Sequence, residues 1–408
     1  MPDTDSQLTD FLTRQFPAEL ELLRQMVGMN SFSANKAGVN ALARFTAASF
    51  ADLGFTAEHV PSVDPQLGDH LVLTRRGRGE RKLGMISHLD TVFPPEEEAR
   101  NQFAWRPAGD KIYGPGTVDI KGGTVMMHLV LSALQAQWPQ VFADTTWVLL
   151  LNSSEEVLSA DFGELCCDRL AGAGAGLLFE CGDRREDAFT VVTARKGRAV
   201  FRCTVEGRGA HAGGDHERGA NAIVQLGETV QRIAALTRYD QALTFNVGTI
   251  AGGTVTNRVP HQAVAEIEMR AFSREAYQAG KAGILALNGP GTVRATTDGH
   301  PCAVRVELLH ETPPWPRNDG TERLLQHWQQ TAAANGQRVV REERGGLSDG
   351  NLFWHAVPTL DGLGPIGDNA HCSEQSADGT KEQEYVEVPS FVPKAALNTR
   401  AILNLLQT

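Results

Sequence analysis

A chain of 408 residues is longer than one compact core accommodates, so two domains are expected. Apolar residues make up 41% and charged residues 21%, which is the balance of an ordinary globular protein and excludes extensive disorder. The formal net charge of −11 argues against the basic face that nucleic-acid binding needs, and it leaves any anionic substrate group to be captured by particular cationic side chains.

The opening Met1-Pro2-Asp3-Thr4-Asp5 has no basic region followed by an apolar stretch, and no apolar run approaches the roughly 20 residues of a membrane span. A cytoplasmic protein without membrane contact is the expectation. Cys166, Cys167, Cys181, Cys203, Cys302 and Cys372 show no repeated spacing, as befits reduced thiols and neither a disulfide framework nor a zinc finger.

Along the chain, apolar spacing predicts a helix from Leu8 to Val27, with Pro17 a break or a second start. Short apolar runs at Val72–Thr74 and Leu83–Ser87 predict strands, and Lys121–Gln135 predicts a helix after a glycine-rich loop. Thr146–Asn152 (TWVLLLN) reads as a strand buried on both faces, and Gly176–Glu180 as another. Strands separated by helices imply an α/β domain with a mostly parallel central sheet, covered by helices on both faces.

Near Val191 the pattern changes. Arg198–Glu206 alternates as a half-exposed strand, a helix follows at Ala220–Leu236, and strands follow at Thr244–Ile250 and Ala263–Ala271. A helix at Arg274–Leu287 and a strand at Ala303–Leu309 complete an α+β unit of four antiparallel strands and two helices. The architecture expected is a domain of residues 1–192 and 309–408 interrupted by an inserted domain of residues 193–308, with a C-terminal helix at Pro389–Leu406.

Chemistry-bearing residues gather where the predicted strands end. His88 and Asp90 lie in HLDTV after one apolar run; on a strand they would share a face, and Asp90 has the reach to fix the tautomer of a ligating histidine. Asp119 lies in YGPGTVDIKGG, where glycines on both sides permit tight turns and close backbone approach. Glu155 and Glu156 follow TWVLLLN, at the carboxyl edge where α/β sheets place their sites. Glu180 closes the next strand, and His371 lies in the loop GPIGDNAH. Each element alone admits a bland alternative: a solvated strand end, an N-cap aspartate, surface charge. Together they supply two His, one Asp and two Glu as ligands with one glutamate to spare. That inventory suits two zinc ions about 3.5–4 Å apart, bridged by a carboxylate and a water.

With these motifs in their order, the sequence resembles the zinc peptidase and deacylase family that includes glutamate carboxypeptidase, acetylornithine deacetylase and succinyl-diaminopimelate desuccinylase. The resemblance implies one zinc held by His88, Asp119 and Glu180 and a second by Asp119, Glu156 and His371, with cobalt able to substitute. It implies that Asp90 orients His88, that Glu155 is the general base, and that a cis peptide follows Asp119. It also implies that the inserted domain is a lid that makes a homodimer contact. In it His211 (GAHAG), Asn257 (GTVTN) and Arg270 match substrate-contacting positions; in the main domain Gly346 lies in GGLSDGN, which resembles a glycine-rich binding loop. Ser154 stands where the family often has Asp before the glutamate pair, and Glu at position 180 resembles the carboxypeptidase and deacylase branches. The implied reaction is hydrolysis of an amide bond in an N-acyl amino acid or peptide with a free carboxylate, with deacylation of an intermediate such as N-acetylornithine as the alternative. A non-catalytic binding protein of the same fold would lack a ligand or the base, and this chain lacks none.

Overall fold

The computed structural model describes residues 4–157 and 159–407. Its internal contacts divide the chain into two units. The first takes the chain up to Thr193, Arg317–Glu343 and everything from Ser348; the second is Ala194–Pro316 with Arg344–Leu347. The second unit therefore runs past the expected end at 308, because its last strand continues to Thr312.

The first unit is built on a six-stranded sheet in the order Thr56–Pro61, Asp69–Arg75, Thr146–Asn152, Lys82–His88, Gly176–Leu178, Thr359–Leu360. The two pairings at the Thr56–Pro61 edge are antiparallel and the other three are parallel. The sheet is therefore mixed, which corrects the mostly parallel sheet expected. Thr56–Pro61 is largely exposed and lacks the apolar run that revealed the other strands. The central strands are mostly apolar between their ends because both faces are covered. In Thr146–Asn152, Trp147, Leu149 and Leu151 enter the larger core, while Val148 and Leu150 enter a smaller one with Phe162 and Cys166. The period of two sends alternate side chains to opposite faces.

Helices Thr4–Val27, Lys121–Gln137 and Phe391–Gln407 contribute to the larger core. The first continues through Pro17, where a break was considered. Leu8, Leu12, Leu23 and Met26 are buried along its length, so one continuous apolar face outweighs the hydrogen bond that proline cannot make. None of the six cysteines is in a disulfide among the described residues. No helix among the described residues is long and apolar enough to cross a membrane.

The second unit is a sheet of five strands, where four were expected, in the order Thr244–Gly252, Gln262–Ala271, Gly197–Glu206, Pro301–Thr312, Gly289–Arg294. Every pairing is antiparallel. The unexpected strand begins Gly289-Pro290-Gly291, which reads as a turn; it lies at the sheet edge, where proline is tolerated, and its register is irregular. The helices are Ala222–Ala234 and Arg274–Leu285. Asn221 caps the first, its side chain accepting from the amides of Ile223 and Val224, and Leu226, Thr229 and Ile233 form the buried stripe.

Candidate metal centre

Local geometry brings five separate segments together at the carboxyl edge of the parallel strands. His88 ends its own strand, and Asn152 ends the neighbouring strand immediately before the Ser153–Glu156 segment. The Asp119 loop reaches them through two glycines. Gly116 adopts φ +76°, and a Cβ on Gly123 would lie 1.9 Å from the Phe179 carbonyl oxygen. That close approach sets the start of helix Lys121–Gln137 against the backbone leading into Glu180. The peptide bond between Asp119 and Ile120 is cis. A small antiparallel sheet, ordered Gly367–Asp368, Tyr385–Glu387, Lys111–Tyr113, Arg106–Ala108, carries the His371 loop alongside the Asp119 loop.

The result is two groups of donors that share Asp119: His88, Asp119 and Glu180, and Asp119, Glu156 and His371. Within each, the ligand-type atoms lie within 4.8 Å of one another. Asp119 turns one oxygen to each group, with Oδ1 3.0 Å from His88 Nε2 and Oδ2 3.3 Å from His371 Nε2. His371 Nε2 is also 3.1 Å from Glu156 Oε2, and His88 Nε2 is 3.9 Å from Glu180 Oε1. His88 and Glu180 are buried, whereas His371 is exposed. Cys372 directs its sulfur to the Glu374 carbonyl, and neither it nor Cys181 enters either group.

Asp90 does more than its sequence position suggested. His88 Nδ1 meets the Asp90 backbone carbonyl at 3.0 Å and its carboxylate at 3.4 Å. The carboxylate itself accepts from the amides of Glu155 (3.0 Å) and Glu156 (3.3 Å) and from the Ser33 hydroxyl (2.6 Å). One buried aspartate thus fixes a histidine and the backbone of both glutamates.

The electrostatics follow from crowding carboxylates around two imidazoles. Acceptors on Asp119 and Glu156 raise His371 to about 11. Burial works against a charged His88, yet the hydrogen bonds it donates to Asp119 and Asp90 and the charge of Glu180 hold it well above its usual value. Burial, joined by the charges of Asp349, Glu180 and Glu156, pushes the Glu155 carboxyl far above the usual carboxylate range. Burial would also raise Asp119, but His371 and His88 hold it below that range.

A pair of divalent cations fits these donors. Asp119, Glu156 and Glu180 crowd three carboxylates between two imidazoles, with the Glu155 carboxyl beside them. In addition, Glu156 Oε1 is buried with no hydrogen-bond partner. Cation binding must expel the histidine protons, so at neutral pH loading should release protons and apparent affinity should rise with pH. The sign is the reverse for the metal-free fold: a His371 raised above its unfolded value of about 6.5 stabilises that fold below this pH, and the contribution fades as pH rises through about 11. Calorimetric titration with zinc in two buffers of different ionisation enthalpy measures the release. Proton uptake, or none, would contradict the assignment.

Several supporting residues had escaped the sequence. Glu384 is fully buried, and its Oε1 accepts from the amides of Val118 (3.0 Å) and Asp119 (3.3 Å). Asp349 accepts from Asn152 Nδ2 at 2.7 Å, while Asn152 Oδ1 accepts from the Ser154 amide and the Ser159 hydroxyl. Burial raises Asp349 to about 7 and Glu384 to about 8.

The remaining predicted residues belong to the second unit. His211 Nδ1 accepts from the amides of Gly213 (3.1 Å) and Gly214 (2.9 Å), which puts the proton of the neutral ring on Nε2. The Ala212 amide donates to the Asn257 carbonyl at 2.9 Å, so His211 and Asn257 lie on neighbouring segments. Arg270 uses Nε on Glu268 and Nη1 on the Gly345 carbonyl. Arg195, which sequence reasoning passed over, donates to the carbonyls of Gly346 and Leu347.

On this fold, residues 193–284 match the peptidase dimerisation domain of the M20 family. By class the proteins it is similar to are metallopeptidases and related amidohydrolases, the M20 family among them. Among particular relatives, Carboxypeptidase G2 of Pseudomonas sp. (strain RS-16) is 26% identical over 404 residues, covering 98% of this chain and 92% of that protein. Acetylornithine deacetylase of Pectobacterium carotovorum is 28% identical over 267 residues, covering 60% of this chain and 65% of the deacetylase. The fold is shared with the aminopeptidase PepT of Bacillus cereus, with TM-score 0.75 and 21% identity over 98% of this chain and 99% of that one. It is also shared with a dinuclear metal-binding peptidase of Bacillus subtilis, with TM-score 0.67 and 16% identity over 98% and 99%.

Proposed function

We propose that the protein hydrolyses an amide bond beside a free carboxylate, releasing a C-terminal amino acid from an N-acyl or peptide substrate, with two zinc ions as cofactors. The observation that carries this reading is the division of Asp119 between two donor groups, with Glu155 next to them and in neither. His88, Asp119 and Glu180 would hold one ion and Asp119, Glu156 and His371 the other. When bound, such ions make water more acidic and polarise a carbonyl.

The chain's own residues do the rest. The Glu155 carboxylate takes the proton of the attacking water and returns it to the leaving nitrogen. His211 donates from Nε2 to the oxygen that gains negative charge, a contribution of about 3–4 kcal/mol in comparable sites. Arg270 receives the substrate carboxylate. Its Nε is occupied by Glu268 and one Nη1 hydrogen by the Gly345 carbonyl, so the side-on fork is closed and the carboxylate is received through Nη2 and the second Nη1 hydrogen. Asn257 and the Gly346 loop line the substrate-binding region in the same reading.

A carboxypeptidase is preferred because likeness to Carboxypeptidase G2 runs along nearly the whole chain. The similarity to acetylornithine deacetylase supports deacylation of a biosynthetic intermediate as the second reading. Rates on an N-acylglutamate and on N-acetylornithine separate them. A preference for the first is expected, and a preference for the second would replace the carboxypeptidase reading with the deacylase one.

The match to a dimerisation domain motivates a further expectation, that His211 serves the partner's site in a two-fold homodimer. Glu155→Gln and His211→Ala variants, each inactive, are unfolded together and refolded as mixed dimers. Sharing leaves one site of each mixed dimer intact, so roughly a quarter of all sites should recover. A dead mixture with mixed dimers confirmed by mass would place His211 in its own chain's site.

A further inference from the structure

Glu384 bonds to the loops that carry Asp119 and His371, through its side chain and its backbone at once. It directly precedes the strand Tyr385–Glu387 of the small antiparallel sheet, and none of it is exposed. Oε1 accepts from the amides of Val118 and Asp119, at 3.0 and 3.3 Å. Its own amide donates to the Cys372 carbonyl at 2.8 Å, one residue after His371, and its carbonyl accepts from the Gly114 amide at 3.3 Å. The loop that carries the shared carboxylate is therefore tied at residues 114, 118 and 119, and the loop that carries His371 at residue 372, all by one residue.

The His371 side of this arrangement needs an external tie. Asn369 and His371 have φ of +59° and +68°, a region non-glycine residues rarely occupy, and the Cys372 amide closes on the Asn369 carbonyl at 2.9 Å. His371 is also exposed, so little packing holds its ring against Asp119. On the other side, Asp119 can serve two groups only if its carboxylate keeps one orientation.

We propose that Glu384 is a positioning residue for the metal centre, fixing the orientation of Asp119 and the spacing between Asp119 and His371. This rests on the two-metal reading given above. What Glu384 supplies is an acceptor oxygen at a set distance from the backbone, and its negative charge is secondary. Glutamine offers the same oxygen at the same reach. Aspartate keeps the charge but is one methylene too short, and alanine has neither.

The test is zinc titration of chelator-treated protein, with bound ions counted per chain, for the parent, Glu384→Gln, Glu384→Asp and Glu384→Ala. Amide hydrogen exchange over residues 114–123 and 366–373 is followed in the same metal-free samples. Affinity close to the parent is expected for Gln. A loss of about 10–100-fold is expected for Asp and Ala, the size that follows removal of an outer partner of a metal ligand. The loss should be larger for the ion that uses His371, and exchange in both segments should be faster in Asp and Ala than in Gln. If Ala does not fold, the contrast between Asp and Gln decides. Parent-like affinity in Asp, or an equal loss in Gln and Asp, would overturn the positioning role while leaving the metal assignment in place. A parent that binds no metal would overturn the functional reading and this inference with it.

Discussion

Replacing Glu155 with glutamine should reduce turnover by at least about 100-fold while leaving the metal content of the protein unchanged. The expectation follows from where the side chain stands. Glu155 belongs to neither donor group, and its amide is pinned by Asp90 at 3.0 Å, so its position does not depend on its charge. Burial and the surrounding carboxylates hold its carboxyl far above the usual range, which marks a group able to carry a proton during the reaction. Glutamine keeps the size and the hydrogen bonds but cannot accept the proton. Metal analysis beside steady-state rates checks both halves. A variant that loses an ion would make Glu155 a ligand and reverse the roles within the glutamate pair.

The ligand histidines should behave alike in catalysis and differently in folding. His88→Ala and His371→Ala each remove one nitrogen from a different group, so each should cost one ion per chain and more activity than the 10–100-fold typical of an outer partner. Asp119→Ala removes the carboxylate common to both groups and should cost both ions. His88 is buried at a strand end, and alanine there strands the Asp90 carbonyl and leaves a cavity, so the metal-free variant should melt at a lower temperature. His371 is exposed on a loop, so its loss should lower the metal-free melting temperature less than that of His88, through the lost pairs to Asp119 and Glu156. That lowering should shrink as pH rises. Metal counts and metal-free thermal melts on the three variants read these outcomes. Two ions retained in either histidine variant would remove that residue from the ligand set.

The site residues that sequence revealed are those whose surroundings are local. In Thr146–Asn152 the run from Trp147 to Leu151 is apolar because both faces are buried, so its end, and the glutamates after it, could be located to the residue. The glycines around Asp119 announced a close backbone approach, and Gly123 against Phe179 is that approach. Residues that act over long sequence distances left no such trace. Glu384 reaches the Asp119 amide across a separation of 265 residues, and the one local sign is an acidic residue opening the apolar pair Tyr385-Val386. Asp349 meets Asn152 across 197 residues, and Ser33 meets Asp90 across 57. In the second unit the strand Gly289–Arg294 was hidden because edge strands admit the Gly-Pro-Gly composition of a turn.

The metal assignment makes cleavage of the amide bond depend on two ions held by five residues. It is tested most directly by removing the metal with a chelator, dialysing the chelator away, and measuring hydrolysis of an N-acylglutamate as zinc or cobalt is returned. The donors are carboxylates and imidazoles that remain on the folded chain, so activity should vanish on removal and return as two ions per chain are restored. Full activity in the metal-free protein would contradict the account.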